Sequence, residues 1–321
     1  MVVVTVIAGC AAKPLIGAAR LHVWAFTVPW DANSAASARA HAAQLDAVVS
    51  GWIQLDSITG EPYSEFRDTL ARGGAAGARL MAIVTNASGG RFHPDVVRDL
   101  AANPAAVAHV AGDLAQRLTN SRYRGMVLDL EGFVAADRDA IATVAHALID
   151  SARAHHIAPI AVAVPATDTA AFPGRSFVPL ADYLLVMLYD QHWSTSPPGS
   201  IASPAWVRNS LARRVGEVGA THIVAALPLY GYRWPPNGPA TAITFAEAQR
   251  NIVSANLPLV RDTVTQTLHA ANPGAWELWV SDSGLIAALI REVTAQGVDR
   301  IALWRLGQED PAVWDVLGAE R

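Results

Sequence analysis

The stretch from Gly125 to Glu131, GMVLDLE, decides the fold prediction. Alternate residues of a strand share one face, so the side chains at 127, 129 and 131 point one way and the apolar residues between them point the other. The first set ends in two acids, Asp129 and Glu131. This is the pattern of a mostly buried parallel strand whose carboxyl end carries chemistry.

The same apolar pattern recurs along the chain and alternates with Ala-rich segments of helical period, which predicts repeated βα units and a parallel sheet. The predicted strands are His22–Val28, Gly51–Leu55, Arg79–Val84, Gly125–Leu130, Ile160–Val164, Tyr183–Leu188, His222–Leu227 and Arg300–Leu303. The predicted helices include Ser37–Val49, Pro104–Leu118, Ala136–Ala154, Pro204–Val218 and Gly284–Gln296. Eight strands favour an α/β fold of the (β/α)8 TIM-barrel type. The alternative is an open doubly wound sheet, but no G-x-G-x-x-G follows the first strand.

One long interruption separates predicted strand seven from helix seven. It runs from Trp234 to Trp279 and contains a helical stretch from Phe245 to Ile252. In a barrel, an insertion at this point lies on the C-terminal rim, where loops build the active site. We therefore predict one barrel domain over residues 21–321 with an insertion at about 235–280, and no second domain.

Composition excludes several functional classes. The 321 residues are 52% hydrophobic and 16% charged, which is typical of a folded globule. The net charge is −4 and no Lys/Arg-rich stripe is present, so nucleic acid is not an expected partner. No apolar run reaches the roughly 20 residues that a membrane-spanning helix needs.

The first twenty residues resemble an export segment. A short apolar run ends at Cys10, the only cysteine, in a pattern like a bacterial lipobox. A lipid on Cys10 would anchor the barrel to a membrane face and place it in the periplasm or on the cell surface. No Lys or Arg precedes the run, so a chance cysteine in an apolar N-terminus is the other interpretation.

The two carboxylates of strand four indicate acid chemistry. Their Cα atoms should lie about 6.5–7 Å apart, so the charge of Asp129 would raise the pKa of Glu131 and keep it protonated as a general acid. A pair of acids in a solvated loop is the alternative. The ends of strands six, seven and eight weigh against it, because each is polar and aromatic: Tyr189–Trp193, Tyr230–Trp234 and Leu303–Asp310.

Tryptophan is unusually frequent, with ten residues against seven phenylalanines. Four lie at predicted strand ends, where an indole could stack on a sugar ring: Trp30, Trp193, Trp234 and Trp304. We expect four others to pack in the core: Trp24, Trp52, Trp206 and Trp314.

These strand ends resemble the signatures of glycoside hydrolase family 18. Strand four is similar to the family's D-G-x-D-x-D-x-E, strand six to its M-x-Y-D, and strand eight carries its floor tryptophan. The branch with spore-cortex glycosidases and deacetylase-fused hydrolase modules is most similar. Its strings F-x-V-P-W-D, Y-D-Q-H-W, P-x-Y-G-Y-x-W and L-W-R-L-G-x-E-D-P recur at Phe26–Asp31, Tyr189–Trp193, Pro228–Trp234 and Leu303–Pro311.

The resemblance implies retaining hydrolysis of a 2-acetamido glycan, with the substrate's own acetamido oxygen as nucleophile. It implies that Glu131 is the acid, that Asp129 orients the acetamido group and that Tyr189 binds its oxygen. Asp190 would hold the sugar ring and Trp304 would lie beneath it. We add five further candidate substrate-binding residues: Trp30, His192, Trp193, Tyr230 and Trp234.

The chain departs from the family pattern at Arg124 and Val127, where the motif has its first and middle Asp. Val127 removes a hydrogen-bond partner of Asp129, which could change the pH profile or weaken turnover. A barrel that binds cell-wall or exopolysaccharide glycan without cleaving it is therefore the alternative function. Retention of the acid favours the enzyme.

Other chemistry has little support in the sequence. The ten histidines are scattered and no H-E-x-x-H is present, so we expect neither a metal nor a cofactor. Ser88 lacks the G-x-S-x-G elbow of a serine hydrolase. We expect a monomer whose partner is an N-acetylated polysaccharide.

Overall fold

A computed structural model describes residues 20–73 and 78–319. Eight parallel strands form its central sheet: His22–Phe26, Ala47–Leu55, Arg79–Thr85, Gly125–Asp129, Ile160–Pro165, Tyr183–Met187, Ile223–Pro228 and Arg300–Trp304. They are called barrel strands one to eight below. Each pairs with the next along the chain, and strand one pairs with both strand two and strand eight, which closes the barrel. The predicted (β/α)8 barrel is confirmed, and the open sheet is wrong.

Helices cover the outside of the barrel. The α-helices of the described residues are Ala32–Ala40, Leu70–Gly73, Pro94–Ala101, Pro104–Asn120, Arg138–Ala154, Pro204–Val218, Phe245–Ala255, Ser283–Thr294 and Val313–Ala319. Short 3-10 turns lie at Ala42–Gln44, Ala135–Asp137, Gly174–Ser176 and Ala220–His222. None of the helices in this part of the chain is long and apolar enough to span a membrane.

Strand four shows how the sequence pattern divides the core into two layers. Val127 packs inside the barrel with inward residues of the other strands, such as Phe26 and Ile83. Met126 and Leu128 pack between the sheet and the helices. Burying a large aliphatic side chain contributes about 1.5–3 kcal/mol, so this alternation fixes the register of the strand. It also fixes which way the following carboxylates point.

The predicted helix Ser37–Val49 is wrong. The helix ends at Ala40, and the chain from Ala47 to Leu55 is barrel strand two rather than a strand that begins at Gly51. The register with strand three shifts between Val49 and Gly51, so the strand contains a β-bulge. An extra residue breaks the period-two alternation. The apolar residues around 47–49 therefore matched a helical spacing that they do not adopt.

The predicted insertion follows barrel strand seven and lies on the C-terminal side of the barrel. Its antiparallel sheet consists of Gly231–Trp234, Thr241–Ile243, Val260–Arg261, Leu268–Asn272 and Trp276–Val280. Helix Phe245–Ala255 packs on this sheet through its own small apolar cluster. Ser200, in the loop after strand six, hydrogen-bonds Thr267 of the insertion at 2.5 Å.

Three shorter strands complete the fold. Pro62–Tyr63 pairs with the end of strand two, and Ala87–Ser88 forms a hairpin with Arg91–Phe92 directly after strand three. The hairpin contains Ser88, which lies in a strand and not in a nucleophile elbow. It brings Phe92 to the mouth of the barrel.

Candidate active site

A cavity of about 370 Å³ opens at the C-terminal end of the barrel. Five of the predicted site residues line it: Asp129, Glu131, Tyr189, Asp190 and Trp304. They come from the ends of strands four, six and eight, which are far apart in sequence. The closed barrel brings them together, because the carboxyl ends of all its parallel strands meet on one rim.

The two carboxylates of strand four lie among apolar walls. Asp129 keeps some exposure to the cavity, but its Oδ1 is fully buried and has no hydrogen-bond partner among the described residues. Val127 lies two residues before it, also lines the cavity, and offers no polar atom. Burial raises the pKa of Asp129 to about 7. Val127 cannot supply the hydrogen bond that the family pattern predicts for Asp129, and the Oδ1 of Asp129 has no partner among the described residues.

The environment of Glu131 favours the protonated form of its carboxyl. Burial is the largest cause, the negative charges of Asp129 and Asp190 add to it, and together they raise the pKa to about 8. The sequence analysis attributed the raised pKa of Glu131 to the charge of Asp129, whereas burial is the larger cause. A protonated carboxyl that faces a cavity is able to donate a proton to a bound leaving group.

Asn86 fixes the backbone of Glu131. Its side-chain Nδ2 donates to the carbonyl oxygen of Glu131, and the amide N–H of Glu131 donates to its Oδ1, both at 2.9 Å. Asn86 is fully buried just after strand three. Sequence reasoning missed this residue, because the contact joins positions 45 apart and a lone asparagine after a strand carries no distinct signal.

Aromatic and hydroxyl groups form the opposite wall. The ring of Tyr189 stacks on Trp304 with centroids 6.1 Å apart, and Trp304 packs edge-on against Phe26. Burial, together with the nearby carboxylates, raises the pKa of Tyr189 well above its usual range, so its hydroxyl remains a hydrogen-bond donor.

Asp190 is held by two tyrosines that follow strand seven. The hydroxyl of Tyr230 donates to its Oδ1, and Tyr232 also hydrogen-bonds it. These bonds oppose the rise that burial causes in the pKa of Asp190. Asp190 itself remains open to the cavity and adopts a left-handed backbone with φ of 56°. Tyr230 is thus a buried partner of Asp190 and not part of the cavity wall.

The structure places four further predicted residues outside this cavity. Trp234 is buried and its Nε1 donates to the carbonyl oxygen of Ser196. The ring of His192 lies 3.0 Å from the Pro197 carbonyl oxygen within its own loop. Trp193 is half exposed in that same loop. Trp30 lies beside a second cavity on the rim.

The four tryptophans expected in the core differ in their burial. Trp24 and Trp314 are buried, as expected. Trp52 is partly exposed and packs edge-on against Trp30. Trp206 packs, partly buried, against the main core, and it also lines the main cavity from the first turn of helix Pro204–Val218. Its helical position suggested packing, and only the orientation of that helix end turns it toward the barrel mouth.

No metal centre is present in the part of the chain that the structure describes. Among these residues no three histidine, cysteine, aspartate or glutamate side chains are arranged as ligands. The acids of the cavity face aromatic and apolar walls instead.

Comparison with solved structures places the chain among TIM-barrel proteins. The spore cortex-lytic enzyme SleL from Bacillus cereus superposes with a TM-score of 0.82 at 19% identity, over 94% of this chain and 74% of that one. A class V chitinase from Pseudomonas fluorescens Pf-5 gives a TM-score of 0.84 at 21% identity, over 94% of this chain and 99% of that one.

The sequence itself is similar to proteins named as glycosylases and cortex-lytic enzymes, which confirms the resemblance that the strand ends predict. A protein assigned as the sporulation-specific glycosylase YdhD of Bacillus subtilis (strain 168) is 25% identical over 240 residues. The match covers 70% of this chain and 57% of YdhD, so the chain spans little more than half the length of that relative. No family model matches the chain.

Proposed function

We propose that the protein is a glycoside hydrolase that cleaves a 2-acetamido polysaccharide, one containing N-acetylglucosamine, by retaining, substrate-assisted catalysis. The observation that carries the proposal is the placement of Glu131 and Asp129 together in the wall of the cavity at the mouth of the barrel, where burial raises the pKa of Glu131. Relatives named as a glycosylase, a cortex-lytic enzyme and a chitinase support the same class.

In the first step, the acetamido oxygen of the bound sugar attacks its own anomeric carbon. The bond from that carbon to the glycosidic oxygen breaks, and Glu131 gives its proton to the departing oxygen. Asp129, in its ionised form, accepts the acetamido N–H and stabilises the positive oxazolinium that forms. Burial strengthens this interaction, because the field of the carboxylate is less screened there.

Three further residues hold the sugar in the proposed complex. Tyr189 donates its hydroxyl hydrogen to the acetamido oxygen, the indole of Trp304 lies beneath the ring, and Asp190 keeps the ring distorted. In the second step, the Glu131 carboxylate takes a proton from water as that water opens the oxazolinium from the face that the leaving group vacated. The configuration is retained and Glu131 regains its proton.

Glu131→Gln tests the proposal. The amide preserves the shape of the side chain and lacks the transferable proton, so turnover should fall by about 10²–10⁴ while affinity stays close to that of the wild type. Product release from peptidoglycan, chitin oligomers and poly-N-acetylglucosamine, measured side by side, identifies the polymer. Equal cleavage by both forms would show that Glu131 is not the acid.

A glycan-binding barrel is the second candidate function, and the unpaired Oδ1 of Asp129 beside Val127 favours it. It predicts that wild type and Glu131→Gln bind one acetamido glycan equally and that neither releases product. The same assay therefore separates the two functions.

We also propose export with a lipid anchor at Cys10, a monomeric state and a periplasmic or cell-surface site of action. Cys10 lies outside the described residues, so these proposals rest on the sequence alone. Metabolic labelling with a palmitate analogue, compared with Cys10→Ser, tests the anchor. Light scattering of the purified chain tests the oligomeric state.

A further inference from the structure

A second cavity of about 400 Å³ lies on the same rim of the barrel. The segment after strand one, helix Ala32–Ala40, Ser50 of strand two and the segment before helix Leu70–Gly73 line it. Phe26 lines the first cavity, and the next residue, Thr27, lines the second. Arg305, which follows Trp304 of the first cavity, donates to Asp31 of the second at 2.8 Å. The two cavities are therefore neighbours on the barrel.

The two acids of the second cavity are already bonded to other side chains. Of its two acids, Asp31 pairs with Arg305, and Asp68 accepts hydrogen bonds from Ser50 and Tyr123 at 2.8 Å each.

Its two guanidinium groups have no acidic partner among the described residues. Arg39 reaches only the carbonyl oxygen and hydroxyl of Thr69, at 3.3 and 3.4 Å. Arg67 has no hydrogen bond or ion pair within the same residues, and both side chains are exposed. Two unpaired guanidinium groups at one cavity form a site for a carboxylate, which arginine binds through two parallel hydrogen bonds.

An aromatic platform borders these arginines. Trp30 is 55% exposed although it packs edge-on against Trp52 with centroids 4.9 Å apart. Trp52 is held in turn by a 2.8 Å hydrogen bond from its Nε1 to the carbonyl oxygen of Thr27. Trp30 also contacts Phe66, with ring centroids 5.6 Å apart, and its exposed surface is available to the apolar face of a sugar ring.

We propose that this cavity is a subsite for a carboxylate-bearing sugar of an N-acetylated glycan, with Trp30 beneath the sugar and Arg39 and Arg67 on the carboxylate. The subsite rests on the proposed function and narrows its substrate class. It favours acidic strands, such as those that contain a lactyl-substituted or peptide-substituted sugar, over neutral polymers of N-acetylglucosamine.

Calorimetric binding in the Glu131→Gln background tests the subsite without cleavage of the ligand. Three ligands of similar length are compared: glycan strands of peptidoglycan with stem peptides, the same strands stripped to the lactyl carboxylate, and N-acetylglucosamine oligomers. Arg39→Gln combined with Arg67→Gln should weaken binding of the acidic strands about tenfold or more. Binding of the neutral oligomers should not change. Arg291→Gln, an exposed arginine on helix Ser283–Thr294, is the matched control.

The three ligands also locate the carboxylate. A loss confined to the stripped strands indicates the lactyl carboxylate, and a loss confined to strands with peptides indicates a carboxylate of the stem peptide. A loss with both acidic ligands indicates that the subsite takes a carboxylate in either position. Trp30→Ala should weaken the neutral oligomers as well, because stacking does not depend on charge.

Equal affinity of the double arginine variant and its parent for the acidic strands overturns the subsite, and so does a parent that binds no acidic strand. Hydrolysis by the unmodified protein is scored separately. If that protein cleaves a neutral oligomer and the arginines have no effect, only the subsite fails. If it cleaves nothing while acidic binding depends on the arginines, only the hydrolase proposal fails.

Discussion

Asn86 and Glu131 are joined by two reciprocal hydrogen bonds, side-chain amide to backbone, each 2.9 Å long. Strand three thereby fixes the point at which strand four ends. The backbone of the proposed acid is held on both its N–H and its carbonyl side, which leaves its carboxyl group free to face the cavity.

Asn86→Ala should lower kcat by about 10–100-fold with little change in KM, because the acid loses its fixed position. It should also cost about 1–3 kcal/mol of stability, since two buried backbone groups lose their partners. Asn103→Ala is the control. It removes a helix cap at about 0.5–2 kcal/mol, far from the cavity, and should leave kcat unchanged. Equal loss of kcat in both variants would assign Asn86 a purely structural role.

The pH dependence of kcat/KM should be bell-shaped with its maximum near neutral pH. Turnover needs Asp129 ionised and Glu131 protonated, and their pKa values are raised to about 7 and about 8. The apparent pKa values of the acid and alkaline limbs of this profile belong to the interacting pair rather than to either residue alone. Asp190→Asn removes a negative charge that raises the pKa of Glu131, so the alkaline limb should move to lower pH. An optimum near pH 4, unmoved in this variant, would contradict the assignment.

Asp129→Asn should stabilise the protein at alkaline pH. The folded-state pKa of Asp129 lies above its ordinary value of 3.8, so the stability that this group contributes is present below about pH 4 and is lost as pH rises through about 7. The advantage of the variant in free energy of unfolding should grow between pH 4 and pH 9 by roughly 2–4 kcal/mol.

Chemical unfolding at both pH values measures this change. Asp113→Asn, at a surface ion pair with Arg117, is the control and should show a difference of about 0–1 kcal/mol. A constant difference between Asp129→Asn and wild type across the range would mean that the buried charge carries no cost.

Arg214→Leu should destabilise the protein by about 3–5 kcal/mol. The fully buried guanidinium donates to the carbonyl oxygens of Pro165, Asp168 and Phe172, and it pairs with Glu217. Leucine would leave these acceptors without a donor in the loop that borders the cavity. Arg208→Leu, on the same helix but in an exposed pair with Glu292, should cost about 0–1 kcal/mol in the same unfolding experiment.

Much of the fold was predictable, because the repeating βα pattern is carried by local apolar periodicity. The strand-four acids were predictable for the same reason, since alternation alone sets their face. The bulge between Val49 and Gly51 was not, because one inserted residue leaves no distinctive composition. That single irregularity turned the start of strand two into a predicted helix.

Cavity residues could be predicted when the end of their own strand sets the direction of the side chain. They were missed when their place in the site depends on another element of the fold. Tyr189 and Trp304 follow directly from their strands. Trp206 depends on how helix Pro204–Val218 docks, and Asn86 depends on a neighbouring strand. Trp234 was predicted to line the cavity because of its strand-end position, but its ring is buried in the insertion sheet that begins at Gly231.

The insertion enters and leaves the barrel through adjacent strands, with Gly231 opposite Val280 in one antiparallel pair. Its first and last residues are therefore neighbours in space, although nearly fifty positions separate them. A shorter turn could join the same two points, but it would remove Tyr232, which bonds Asp190, and Thr267, which bonds Ser200. The insertion is therefore a separable segment of the chain that also supports the cavity, and a chimera joined at Gly231 and Val280 would have to keep both contacts.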